Sequence, residues 1–108
     1  MSKEVYPGWY SFIREKHGKF IKALEQLGEA VRQEGPLDEK TAHLIQLAAA
    51  AANGSEGSVH SHARRALKAG ASSEEIYHTV ILLTSTIGFP HTSAALSWVY
   101  DVLGEEGK

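Results

Sequence analysis

Four side chains able to move protons or hydrogen-bond a substrate lie in the middle of the chain: His43, Ser55, Ser58 and His62. Ser58 and His62 are four residues apart, so on a helix they share a face. His43 stands in a second stripe with Leu47 and Ala51 at the same spacing. Imidazole changes charge near neutral pH, and hydroxyls at the start of a helix sit where backbone N–H groups attract anions. Two histidines and two serines so arranged point to acid/base chemistry on a small anionic molecule, or to its binding. A Ser–His acyl-transfer pair would also need an acidic residue to orient the imidazole, and none stands out.

Metal binding is the second chemistry these residue types allow. His60 and His62 are two residues apart and diverge by about 200° on a helix, so they do not share one ion. His43, His62 and His91 make the better ligand set, without support from any HExxH-type motif. In the plainest reading no ligand or cofactor is involved. Ser55 then caps a helix, Ser58 supports its first turn, and the histidines pack or lie in an interface. His17, within the charged stretch Arg14 to Lys19, and His78, beside Tyr77, are read in that way. Arg64 and Arg65 read as a solvated face, and Trp9, Tyr10, Phe12 and Trp98 as packing residues. The chain has no cysteine, which removes disulfides, thiolate nucleophiles and thiolate metal sites together.

The elements that position these groups are helices. Gly and Pro divide the chain into about five apolar-periodic blocks. The first is expected from Trp9 to Gln33, with Phe12, Ile13, Phe20, Leu24, Leu27 and Val31 along one stripe. Gly18 and Gly28 weaken it, and Gly35-Pro36 ends it. The second starts at the N-cap Asp38, carries His43, and stops at Asn53-Gly54. Its run from Ala48 to Ala52 has no bulk, which predicts a central helix approached closely by its neighbours. The third begins near Ser55 or Gly57 and ends at Gly70. Ser72 and Glu75 form a capping box for the fourth, which runs through Ile76, Val80 and Leu83 to Gly88. Pro90 sits in the first turn of the fifth, which ends at Leu103-Gly104. No segment alternates like a strand. The expectation is an all-α helical bundle of a single domain over residues 1–108. The apolar second half of the fourth helix predicts a homo-oligomer.

The balance of 11 basic and 13 acidic residues, a net charge of -2, gives no electrostatic case for nucleic acid or a membrane surface as partner. With 43% hydrophobic and 22% charged residues the composition is that of an ordinary globular domain. No apolar run approaches the roughly 18 residues of a membrane span, and residues 1–5 lack a signal-peptide stretch, so a cytoplasmic protein is expected.

Three stretches carry a family resemblance: Pro36-Leu37-Asp38-Glu39-Lys40-Thr41, Gly54-Ser55-Glu56-Gly57-Ser58-Val59-His60-Ser61-His62, and Ala66-Leu67-Lys68-Ala69-Gly70-Ala71 through Ile76. With Gly88-Phe89-Pro90 they resemble the carboxymuconolactone decarboxylase family, which includes alkylhydroperoxidase D-like proteins. The match is strongest over 36–103. The resemblance implies the alkylhydroperoxidase D-like fold, assembly as a trimer or hexamer with sites between subunits, and a meeting of the faces bearing His43 and His62. It also implies that a relay glutamate falls on His43, a Cys-x-x-Cys pair on Ser55 and Ser58, and the family histidine on His62. Three of those four positions have changed. A serine hydroxyl neither ionises near neutral pH nor forms a disulfide, so dithiol peroxide reduction is excluded for this chain. Serines at both cysteine positions are also the pattern of an engineered or natural Cys-to-Ser form of such an antioxidant enzyme; an engineered knockout would have no need of a histidine at position 43, which argues for natural divergence. The family's decarboxylase branch works on a lactone carboxylate without a cofactor. By that likeness His62 is the expected general acid or base, His43 its proton partner, and the two serines hydrogen-bond donors to a small-molecule ligand.

Overall fold

Among the residues described by the computed structural model, 7–104, the regular structure is entirely helical. Seven segments follow in order: α1 (Gly8–Lys16), α2 (Gly18–Gln33), α3 (Glu39–Ala52), α4 (Glu56–Lys68), α5 (Ser73–Ile81), α6 (Thr84–Ile87) and α7 (Phe89–Leu103). They are the five expected blocks, two of them broken. The chain divides into two compact units, one up to Pro36 and one from Leu37 onward.

In the first unit the expected long helix is interrupted at His17, whose backbone (φ -128°, ψ 55°) leaves the helical region just before Gly18. α1 and α2 pack on each other, and both Tyr10 and Arg14 reach the carboxylate of Glu25. Trp9 and Phe12 do not pack as expected: both are exposed, and Trp9 meets Tyr10 edge-on with ring centroids 5.4 Å apart.

In the second unit the caps are where the sequence places them. Asp38 accepts a 2.7 Å hydrogen bond from the Thr41 N–H and so opens α3. Ser72 and Glu75 exchange both bonds of a capping box at the start of α5. Gly54, at φ 68°, ends α3 in a Schellman motif: its N–H donates to the Ala51 carbonyl, and that of Ser55 to Ala50. The chain therefore reverses within three residues and enters α4 at once. The other break lies between α5 and α6. There Thr84 Oγ1 donates to the Ile81 carbonyl at 2.8 Å, taking an acceptor that a continuous helix would use.

α3 packs against α4, α5 and α7, as its alanine run predicts. The core joins Leu47, Ala50 and Ala51 of α3 with Val59, Ala63 and Ala66 of α4, Ile76 and Val80 of α5, and Ala95, Val99 and Leu103 of α7. Five of those eleven residues are alanine. Small side chains let helices approach closely, and among the described residues α3 packs most extensively on α4.

Candidate functional site

The close packing of α3 on α4 brings two imidazoles together. His43 lies on the buried stripe of α3 with Leu47 and Ala51, and only 3% of its surface is exposed. His62, on α4, is half-buried. Their Nδ1 atoms are 3.3 Å apart and their ring centroids 5.5 Å, with the planes tilted by 40°. Both helices are needed: a histidine near each end of a 19-residue separation meets its partner only because Gly54 turns the chain back.

A third group completes the line. Glu39 Oε2 stands 3.7 Å from His43 Nε2, one helical turn before it on α3. Its four-residue spacing from His43 was the available sequence signal for an acidic partner, and the sequence reading missed it. One proton fits between the two Nδ1 atoms, so one ring donates and the other accepts. Which ring donates depends on the tautomers. Where His43 carries its proton on Nε2, toward the Glu39 carboxylate 3.7 Å away, its Nδ1 accepts from Nδ1–H of His62. In the neutral pair His62 then carries its lone pair on Nε2, the form a general base requires.

The serines take different places. Ser55 occupies the N-cap position of α4 but makes no side-chain capping bond, so the plain capping role read from the sequence is not what its hydroxyl does. Ser58 is exposed, one turn before His62 on the same helix. His91 is exposed in the first turn of α7. Among the described residues it joins no group of three ligand-bearing side chains with His43 and His62. His60, as expected, diverges from His62: it faces Asp101 on α7 instead of α3. In the second unit, among the described residues, the side-chain atoms Gln46 Oε1 on α3 and Thr92 Oγ1 on α7 are buried without a hydrogen-bond partner. Such atoms call for a water or a polar ligand. Gln46 follows His43 by three residues, which places it on the same side of α3.

With this geometry the comparisons can be read. The chain matches the carboxymuconolactone decarboxylase family over residues 18–101. It belongs to that family. The family match starts well before residue 36 and takes in α2, which no short motif had signalled. A solved structure similar to this carboxymuconolactone decarboxylase family chain is that of a family protein from Legionella pneumophila, determined in its apo form. The two share 25% identity and superpose with a TM-score of 0.76, over 93% of this chain and 88% of the Legionella chain. None of the curated proteins matches. The family's thiol chemistry is out of reach for this member, since it has no cysteine.

Proposed function

We propose that this family member holds a small-molecule site built on His43, Ser55, Ser58 and His62, and that it acts by acid/base chemistry or by binding alone. The 3.3 Å approach of the two imidazoles carries the reading. His62 is the proton donor or acceptor toward the ligand. His43, buried behind it and faced by Glu39, holds and returns the proton. Ser55 and Ser58 are the hydrogen-bond donors, on the N-terminal turn of α4 where the helix dipole favours a carboxylate. The ligand class is therefore a small organic acid or lactone carboxylate. The site works in a homo-oligomer, a trimer or hexamer, which would also cover the exposed Ile81, Leu82 and Phe89.

The test is a thermal-shift screen of small carboxylates and lactones, followed by assay of any hit with wild-type protein and with His62→Ala. The expected result is a hit whose shift and turnover disappear in His62→Ala, while the ligand-free melting temperature stays close to that of the wild type. Full activity in that variant, or a broad panel without one hit, would return the pair to a packing role. Hydroperoxide consumption with a dithiol reductant is expected to be nil.

A further inference from the structure

On the opposite side of α4 from His62, a second group of side chains converges. His60 Nε2 is 3.0 Å from Asp101 Oδ2 on α7 and 4.0 Å from Glu56 Oε2, one turn back on α4. The three ligand atoms all lie within 4.8 Å of one another. Asp101 is 41 residues from His60, so this is not a local helical pairing but a meeting of the first turns of α4 with the last turn of α7.

Two features separate this group from an ordinary surface ion pair. The first is that two carboxylates address a single imidazole nitrogen. That nitrogen has one proton to give, and Asp101 at 3.0 Å receives it. Glu56, at 4.0 Å, is beyond hydrogen-bond distance and keeps its charge turned toward the same point. A dication bonded to all three would answer both carboxylates at once. The second is the spacing. An ion held at about 2.0–2.2 Å by nitrogen and oxygen ligands sets them roughly 3–4 Å apart around it. The distances of 3.0 and 4.0 Å fall in that range, and a small rotation of the exposed Glu56 or Asp101 brings in the third.

We infer that Glu56, His60 and Asp101 form a binding site for a divalent transition-metal ion of the zinc type, separate from the His43–His62 site. The imidazole selects against magnesium and calcium, which take oxygen ligands. Three protein ligands on an exposed face leave the remaining positions to water. The bound ion ties the start of α4 to the end of α7. It thus bears on the same helix that carries Ser55, Ser58 and His62, without touching them.

The experiment is calorimetric titration of zinc chloride into the untagged full-length chain, stripped with chelator and dialysed, at neutral pH. One zinc per chain is expected, with a rise in melting temperature on loading and no comparable heat from magnesium. Asp101→Asn, which keeps the shape of the side chain, and His60→Ala are each expected to weaken binding at least about tenfold. His62→Ala and His43→Ala are expected to bind zinc as the wild type does. No zinc binding by folded wild-type protein would overturn the inference. So would undiminished binding in both Asp101→Asn and His60→Ala, loss of binding in His62→Ala in place of His60→Ala, or magnesium bound as tightly as zinc.

Discussion

His43 and His62 form one pair, yet they do not have equal structural weight. His43 is 3% exposed, with Leu47 and Ala51 on its stripe, so truncating it opens a void in the α3–α4 interface. It also takes away the buried partner of His62. His43→Ala is expected to lower the unfolding free energy by about 1–3 kcal/mol, read as a lower urea midpoint at unchanged slope. His62 is half-buried, and water can enter the space it vacates and bond to Nδ1 of His43. The cost of His62→Ala should therefore be about 1 kcal/mol or less. Equal losses in the two variants would mean that His43 is not the anchored member. The same asymmetry explains what was legible from residues alone. Family spacing singles out positions 43, 55, 58 and 62, and the structure brings the two imidazoles to 3.3 Å. The side chains at Glu39, Gln46 and Asp101 were not legible. Each matters through its partner or its burial, and sequence spacing reports neither directly. Glu39 comes nearest, because its partner lies only four residues away.

Helix ends were the most readable elements, since a cap is chemistry within three or four residues. Asp38, the Ser72–Glu75 box, Gly54 and Pro90 all act where they were expected. The break at His17 was signalled only by Gly18, which weakened the expected helix without marking an interruption, and the break at Leu82–Leu83 was not readable, because apolar periodicity continues through it. The caps also carry a pH dependence. The Thr41 N–H bonded to Asp38 holds that carboxyl below its usual range, and the Ser72 N–H, then Lys40, do the same for Glu75. Both carboxyls relax to ordinary values on unfolding. Their stabilisation is complete above the ordinary carboxylate range and is lost as pH falls through the lowered folded values, where the folded chain takes up its protons. Asp38→Asn and Glu75→Gln keep the capping geometry without the charge. In that double variant, denaturation at a series of acid pH values should show a flatter loss of stability than in wild-type protein. An unchanged acid slope would place the pH dependence elsewhere. Lys40 reaches Glu75 at 3.2 Å across the exposed α3–α5 junction, so salt should weaken this contribution too.

At the scale of the whole molecule, the proposed homo-oligomer bears on the apolar side chains that the second unit leaves exposed. Among the described residues no helix is long and apolar enough to cross a membrane. Yet Ile81 and Leu82, at the α5 to α6 break, are 51% and 62% exposed, and Phe89 opens α7 at 63%. Their core-facing neighbours Ile76 and Val80 are wholly buried, so only the C-terminal end of α5 carries apolar side chains both inward and outward. A helix apolar on two sides is buried on both when it lies between subunits. The sequence showed this surplus in the second half of the fourth block, apolar on nearly every face, but no pattern within one chain identifies the surface that covers it. If copies of this chain cover it, a charge placed at its centre must separate them. Leu82→Glu adds a carboxylate at an exposed position, so the fold of the isolated chain should survive, with the helical signal in circular dichroism unchanged. Light scattering after size exclusion should then give a trimer or hexamer for wild-type protein and a monomer for Leu82→Glu. A monomeric wild type would refute self-association. A variant that stays oligomeric would move the interface away from the α5–α6 junction, to other exposed apolar residues of this unit: Leu37 before α3, Ile45 on α3 and Tyr100 on α7.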